Sequence, residues 1–213
     1  MRHWPLMKLQ VTMGDLTLRL PREDELDALA QVAAEGVHAP GQVCFPQPWA
    51  SGTPEERARS VLQNHWWARG DWQVENWRLL LAVFADGQVI GQQNLSSRNF
   101  STTREARTGF WLGQRFQGLG YGTQMRAAIL GFAFGWLGAE RVASSAFRDN
   151  TPSRRISEKF GYESNGIRRI SVGGKLVEVH DTVILADRWG AYTGRSVTVT
   201  GCERCRGLFE SAY

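Results

Sequence analysis

The sequence has no long apolar run, and this absence excludes two classes of protein. No stretch approaches the roughly 18 uncharged apolar residues that a membrane-spanning helix needs. The opening residues, Met-Arg-His-Trp-Pro-Leu-Met-Lys, lack the continuous apolar core of a secretory signal peptide. We therefore predict a cytoplasmic protein that neither spans a membrane nor is exported.

Cysteine is scarce, and the three cysteines do not have the spacing of a metal site. Cys202 and Cys205 form a Cys-x-x-Cys pair, but no second cysteine pair or histidine pair accompanies it. Because a structural zinc ion needs four ligands, we predict no metal and a pair that is incidental or weakly redox-active.

Neither charge nor length indicates a nucleic-acid-binding or multidomain protein. The chain has 25 basic and 21 acidic residues, a net charge of +4, without a dense basic patch interleaved with aromatic residues. Its 213 residues suit one domain, or one domain with an appendage, and are enough for a full core.

What the sequence does contain is a glycine-rich junction at residues 110–123. Strand-forming residues end at Leu112, and glycine then occupies every second position from Gly118 to Gly122. From Met125 onward, apolar residues recur at helical spacing. Glycines between a strand and a helix leave backbone N–H groups uncovered, and the positive end of the helix dipole lies beside them. The junction therefore favours a bound phosphate or pyrophosphate.

Several phosphate-binding motifs share this physics, and spacing separates them. A P-loop would place a lysine after the last glycine, whereas Gly122 is followed by Thr123. A dinucleotide-binding fingerprint would place its third glycine one residue later. The pattern Gln-x-x-Gly-x-Gly fits Gln117 to Gly122, and this is the pyrophosphate loop of the GNAT acyl-CoA N-acyltransferases, which the chain resembles. The alternative interpretation is that these glycines only permit tight packing.

A second motif supports the same resemblance. Asp149-Asn-Thr-Pro-Ser-Arg-Arg-Ile-Ser-Glu-Lys-Phe-Gly-Tyr162 is similar to the Asn-x-x-Ser and Glu-Lys-x-Gly-Phe/Tyr signature of the branch that includes RimJ and RimL. Both motifs occur in the expected order and at the expected separation. The resemblance covers roughly Leu16 to Trp189. We accordingly predict one GNAT domain at residues 1–189 and an extension of unknown role at residues 190–213.

The hydrophobic pattern predicts the element order β-α-α-β-β-β-α-β-α-β-β, which is the order of the GNAT fold. The resemblance implies an α+β fold with a central mixed, mostly antiparallel and twisted sheet. Two parallel strands, Thr108–Leu112 and Val142–Phe147, would splay apart in a V and admit the pantetheine arm. The other main elements expected from the residues are a strand at Leu16–Leu20, helices at residues 22–34 and Pro54–Ala68, hairpin turns at Asp86-Gly87 and Gly173-Gly174, and an extra strand at Ser196–Thr200.

The resemblance implies acetyl-CoA or succinyl-CoA as the acyl donor. A main-chain N–H near Trp111 or Leu112 would hold the thioester carbonyl and stabilise negative charge on its oxygen. The glycine loop would hold the pyrophosphate, and the second motif would meet the pantetheine or the nucleotide. The implied cofactor-binding residues are Trp111, Leu112, Gln117, Gly118, Leu119, Gly120, Tyr121, Gly122, Thr123, Asn150, Ser153, Arg155 and Lys159.

The groups that move protons are less well defined. Many relatives carry a tyrosine where this chain has Ser157, which either bonds the leaving sulfur or bonds only its own helix backbone. A glutamate of many relatives is replaced by Arg107. Glu105 lies on the same strand face and could act as a base through water, or no protein base is needed. The predicted catalytic groups are therefore Ser157, Glu105 and Leu112.

Acceptor contacts are expected between the first two helices and the late hairpin. His38, Trp49 and Trp67 lie in or near these segments, and an aromatic wall could receive a cationic or hydrophobic amine. The alternative is that most of the tryptophans fill the core beneath a long loop. Arg107 could bind an acidic group on the acceptor, or the donor carboxylate that succinyl transfer would bring.

Two functions remain open from the sequence. The first is an N-acyltransferase that moves an acyl group from acyl-CoA directly to a primary amine, either a small molecule or a peptide. The second is a non-catalytic acyl-CoA-binding or sensing module, in which Arg107 and Ser157 mark lost chemistry. Nucleic acid and membrane are not expected partners, whereas an unpaired sheet edge or the tail could support a homodimer.

Overall fold

The computed structural model of the chain describes residues 2–39, 42, 44, 45, 48–190 and 196–210. Within these residues, a nine-stranded mixed sheet carries helices on both faces, which confirms the α+β class. The strands are β1 Gln10–Met13, β2 Leu16–Arg19, β3 Asn76–Ala85, β4 Gln88–Arg98, β5 Glu105–Leu112, β6 Arg141–Phe147, β7 Glu163–Val172, β8 Lys175–Leu185 and β9 Thr198–Thr200. The helices are α1 Glu23–Glu35, α2 Pro54–Gly70, α3 Phe100–Thr103, α4 Tyr121–Gly131, α5 Thr151–Lys159 and α6 Ala186–Gly190, and a π-helical turn, Phe132–Leu137, continues α4.

The sheet has the predicted V-shaped gap. Its strand order is β7-β8-β6-β5-β4-β3-β2-β1-β9, and β5 and β6 pair in parallel whereas the other neighbouring strands are antiparallel. Pairing between β5 and β6 ends at the pair Thr108–Ser144, although β5 continues to Leu112 and β6 to Phe147. The last residues of both strands therefore leave a gap in the centre of the sheet.

Helix α2 begins at a well-capped N-terminus. The hydroxyl of Thr53 accepts a hydrogen bond from the Glu56 N–H at 3.2 Å, and the Glu56 carboxylate accepts one from the Thr53 N–H at 2.8 Å. This capping box satisfies two N–H groups that a helix start leaves unpaired. Helix α1 lies where the sequence predicts one, and its apolar residues Leu26, Leu29 and Ala33 are fully buried.

Two apolar cores lie on opposite faces of the sheet. On one face, Met125 and Ile129 of α4 pack with side chains from β1 to β5. On the other face, α1 and α2 pack against Phe84 and Trp111. Because neighbouring side chains along β5 point to opposite faces, Phe110 belongs to the α4 side and Trp111 to the α1 side. The gap between β5 and β6 therefore connects the two faces.

The segment after α6 adds to the sheet and to the core. The expected strand forms at Thr198–Thr200 and pairs antiparallel with β1. The sequence pattern did not predict β1. Phe209 is fully buried, and the indole N–H groups of Trp72 and Trp77 donate to the carbonyls of Leu208 and Phe209 at 2.8 and 3.1 Å. The parts of the predicted extension at residues 191–195 and 211–213 lie outside the described residues.

Two further observations concern the described ranges alone. They hold no helix of the length and apolar character needed to cross a membrane. They also hold no cluster of three or more histidine, cysteine or acidic side chains that could ligate a metal ion. The three cysteines are unpaired, and Cys202 and Cys205 are both buried.

Candidate active site

A cavity of about 490 Å³ opens where β5 and β6 part. One wall comes from α2, the loop before it and strands β3 and β4, and the other comes from α4, β6 and the start of α5. Six residues predicted for cofactor or acceptor contacts line it: Trp49, Trp67, Arg107, Trp111, Asn150 and Ser153. The wall also includes residues that the sequence analysis did not single out, among them Asn64, Arg78, Gln92, Asn94, Arg126 and Ser144.

The glycine loop has the geometry of an anion-binding turn. Gly118 and Gly120 have φ angles of 78° and 87°, a backbone region that favours glycine, and α4 begins directly afterwards at Tyr121. No backbone N–H of residues 118–122 has an acceptor among the described residues. A Cβ on Gly122 would lie 3.0 Å from Ile156 of α5, so glycine there also permits close packing. The backbone geometry at Gly118 and Gly120 thus supports anion binding, whereas the contact at Gly122 supports tight packing.

Gln117 braces the loop. Its side-chain amide donates to the carbonyl oxygens of Val37 at 2.8 Å and Leu112 at 3.0 Å. These two bonds join the end of β5, the segment after α1 and the loop. Leu119 is exposed, and neither Gln117 nor Leu119 lines the cavity as described.

The backbone of β5 presents alternate N–H groups to the gap. The N–H of Gly113 donates to Ile90 of β4 at 3.0 Å, so the residue before it turns its backbone groups the other way. The carbonyl of Leu112 accordingly accepts from Gln117 rather than from β4. By this alternation the N–H of Leu112 faces the gap, whereas that of Trp111 faces β4.

Helix α5 uses its polar side chains internally. The Asn150 side chain caps the helix by accepting from the Ser153 N–H at 3.3 Å. The hydroxyl of Ser157 is buried and donates to the Ser153 carbonyl at 3.4 Å, a long bond within the same helix. Arg155 and Lys159 are exposed. Of these five residues, Asn150 and Ser153 reach the cavity wall.

The two charged candidates on β5 lie at different depths. Glu105 lies where β5 and β6 are still paired, and its carboxylate is 3.2 Å from Arg141 Nε. Arg107 lines the cavity, donates to the Ser145 hydroxyl at 3.1 Å and lies 3.8 Å from Asp181. The pKa of Asp181 is lowered, chiefly by its hydrogen bond from Arg168, so its carboxylate is a weak base.

Aromatic side chains form one wall on the α1 side. Phe45 contacts Trp49 with ring centroids 4.9 Å apart, and Trp49 contacts Trp111 at 5.6 Å. Arg78 lies over the Trp67 ring at 4.0 Å, so that ring face already has a cation. His38 is half-buried, has Nδ1 2.9 Å from the Ala39 carbonyl oxygen and does not line the cavity in the described residues.

Three consecutive amides in the mostly buried strand β4 were missed by the sequence analysis, and two of them face the cavity. Gln92 and Asn94 line the cavity, and Gln93 donates to the Thr108 hydroxyl at 2.6 Å. Behind them, His65 Nε2 lies 2.9 Å from Gln92 Oε1, and burial lowers the pKa of His65 to about 4. The signal was available, because three consecutive amides are unusual shortly after the apolar run Val89–Ile90 of a predicted strand.

Arg126 is the second feature that was missed. It lies in α4 beside Met125, is 1% exposed and lines the cavity. Its guanidinium carbon is 5.2 Å from the ring centroid of Phe110 and 5.3 Å from that of Tyr162. A single charged residue within an apolar helix stripe is the sequence signal that could have indicated it.

Comparison with known proteins gives one consistent family. The family model described as an acetyltransferase (GNAT) domain matches residues 15–163. A Bacillus subtilis protein named as a ribosomal N-acetyltransferase, YdaF, is 31% identical over 84 residues, which are 39% of this chain and 45% of that protein. The match thus spans less than half of that relative's own length.

Solved structures share the fold over most of the chain. A structure of RimL, named as a ribosomal L7/L12 alpha-N-protein acetyltransferase in complex with coenzyme A, has a TM-score of 0.66 at 19% identity and covers 84% of this chain and 99% of its own. Mycobacterium smegmatis RimJ in complex with CoA-disulfide has a TM-score of 0.65 at 18% identity, with 90% and 98% covered. At these identities the likeness shows the fold.

Proposed function

The chain belongs to the GNAT acetyltransferase family, and from that premise we propose that it transfers an acyl group from acyl-CoA to a primary amine. The observation that carries the proposal is the cavity at the parting of β5 and β6. It connects a glycine loop with uncovered N–H groups on one side to an aromatic and amide wall on the other. A donor and an acceptor can therefore meet inside the sheet.

The residues present fit a CoA thioester. The loop N–H groups of residues 118–122 have no acceptor in the described parts of the chain, which suits a pyrophosphate. The free backbone edge of β5 suits the amide groups of the pantetheine arm, and the Leu112 N–H would receive the carbonyl oxygen. When bound, CoA supplies an acyl carbon activated towards nucleophiles. We keep acetyl as the expected acyl group, and succinyl as the alternative.

The cavity wall favours an acceptor amine that loses its proton without help. No carboxylate or histidine lines the cavity among the described residues. Asp181, a weak base, reaches it only through Ser145 and Arg107. An α-amino group has a pKa of about 7.8 and a lysine about 10.4, so near neutral pH the α-amine is roughly 300-fold richer in its reactive neutral form.

We therefore propose the N-terminal α-amine of a peptide or protein as the acceptor. The names of YdaF and RimL, a ribosomal N-acetyltransferase and an alpha-N-protein acetyltransferase, support this class. The amine would approach from the α1 side, past Trp49 and Asn94. A cytoplasmic setting is part of the proposal and is consistent with three unpaired cysteines.

The test is release of free CoA thiol from acetyl-CoA in the presence of peptides. One set of peptides carries a free α-amine and no lysine, and a matched set is blocked at the N-terminus and carries one lysine. We expect turnover with the first set, at a rate that rises with pH up to the pKa of the α-amine. Turnover confined to the lysine set would contradict the acceptor assignment and leave acyl transfer in place.

A non-catalytic CoA-binding module is the second candidate, and one observation favours it. The two side chains first predicted for proton transfer are both engaged elsewhere, Ser157 with its own helix and Glu105 with Arg141. Tight binding of acetyl-CoA without thiol release, over a broad panel of amines, would support this module and would contradict the enzyme.

A further inference from the structure

Arg126 is a buried cation without a counter-charge. Its Nε and Nη1 atoms have no hydrogen-bond partner in the residues that the structure describes. Nor does any carboxylate of those residues form an ion pair with it. Burial of an isolated charge costs several kcal/mol, so a folded protein keeps such a group only where a partner offsets the cost.

The aromatic neighbours of Arg126 supply only part of that offset. Its guanidinium lies near the rings of Phe110 and Tyr162, and a desolvated cation–π contact is worth about 2 kcal/mol or more, but neither ring carries a negative charge. The remaining surroundings are the cavity, whose wall Arg126 shares with Ser144, Asn150 and Ser153. The cavity is therefore the side from which a partner with negative charge would reach Arg126.

The other arginines in the wall use more of their guanidinium groups. Arg107 already contacts Ser145 and lies near Asp181. Arg78 donates to Asn64 at 3.1 Å and covers Trp67, although its Nη2 has no hydrogen-bond partner in the described residues. Arg107, which the sequence analysis assigned to a donor or acceptor carboxylate, thus has its own carboxylate nearby. The guanidinium of Arg126, by contrast, has no carboxylate partner in the described residues.

We propose that Arg126 binds an anionic group at the sulfur end of the CoA ligand, either the CoA thiolate or a carboxylate carried by the acyl group. The inference rests on the proposed function, because CoA brings the anion into the gap. A second buried polar group lies beside the guanidinium, since the Tyr162 hydroxyl interacts with Arg126 and has no other partner in the described residues. Burial raises the pKa of Tyr162, which keeps this hydroxyl protonated.

The test measures binding rather than turnover, so it needs no knowledge of the acceptor. Free CoA, acetyl-CoA and succinyl-CoA are titrated by calorimetry into the wild type, Arg126→Met, Arg126→Gln and Arg126→Lys. The pKa of the bound CoA thiol is read from thiolate absorbance as pH is varied. Arg107→Met is the matched control, because it removes an arginine from the same cavity that already has a partner.

We expect the wild type to lower the bound thiol pKa by at least about one unit, equivalent to tenfold tighter binding of the thiolate. The neutral variants should lose this shift, while Arg126→Lys and Arg107→Met keep it. If the anion is instead an acyl carboxylate, succinyl-CoA should bind the wild type at least about tenfold more tightly than acetyl-CoA, and Arg126→Met should abolish that ratio.

The outcomes separate this inference from the proposed function. If all three ligands bind but the thiol pKa and the succinyl-to-acetyl ratio are the same in the wild type and a neutral variant, the role of Arg126 is wrong and CoA binding stands. If none of the ligands binds the wild type, the proposed function itself fails. Should Arg126→Met not fold, Arg126→Gln provides the same neutral comparison.

Discussion

Acid is expected to destabilise the protein through one buried imidazole, that of His65. The ring is 1% exposed and bonded to Gln92, and burial holds its pKa at about 4, against 6.5 for the ordinary side chain. Below pH 6.5 the unfolded chain takes up a proton that the folded chain refuses until about pH 4. The stabilisation is therefore complete above pH 6.5 and is lost as pH falls to about 4.

The size of this effect follows from the shift. One pKa unit corresponds to about 1.4 kcal/mol, so the whole shift is worth about 3 kcal/mol, of which about 2 kcal/mol falls between pH 7 and pH 5. The contribution of His65 is isolated by comparing the urea unfolding of the wild type with that of His65→Gln, monitored by tryptophan fluorescence. The titration of the other groups is common to both proteins and cancels in the difference. The stability advantage of the wild type should shrink by about 2 kcal/mol over this interval.

A constant difference between the two unfolding curves would refute the reasoning. It would mean that the imidazole charges without penalty in the folded state, and hence that water or a carboxylate reaches His65. A growing advantage of the wild type in acid would be a stronger contradiction, since it would require a folded-state pKa above 6.5.

Three other changes have expected outcomes. Gly122→Val should weaken CoA binding at least about tenfold without unfolding the protein, because the new side chain would collide with Ile156 and displace the loop. A calorimetric Kd equal to that of the wild type would contradict this prediction. Ser157→Ala should leave kcat within about threefold, since its hydroxyl bonds its own helix, whereas a fall of about a hundredfold would restore the role of an acid. Trp77→Phe should cost about 1–3 kcal/mol in urea unfolding, because the buried Phe209 carbonyl loses its donor, and a cost near zero would show that the carbonyl finds another partner.

The sequence predicted the elements whose signals are local. The end of β5 at Leu112 was predicted as observed, because the strand-forming residues end there, before the glycine-rich loop. The start of α2 at Pro54 was predicted as observed, where Thr53 and Glu56 have the spacing of a capping box, and the helix continues two residues beyond the predicted end, to Gly70. Periodicity and capping chemistry act within a few residues, so one sequence is enough to read them.

Features that depend on contacts distant in sequence were not predictable in the same way. β1 is four residues long and is paired on both sides by β2 and β9, so neither its length nor its pattern identifies it. The polarity of Gln92 was visible, but its place in the cavity depends on how β4 is registered against β5. The sequence could not show that Arg126 is buried without a counter-charge, because this depends on which residues surround it in the folded protein.

The late segment that completes the core has a consequence for how the chain folds during synthesis. The bonds from Trp72 and Trp77 to the backbone near Phe209 join residues 136 and 132 positions apart. A nascent chain that has already formed β3 and α4 must therefore hold an uncovered aromatic cluster until the segment around Phe209 has been made. Contacts of such separation slow folding and prolong the exposure of apolar surface. A shortened chain without that segment should consequently aggregate, even though every residue of the candidate site is present.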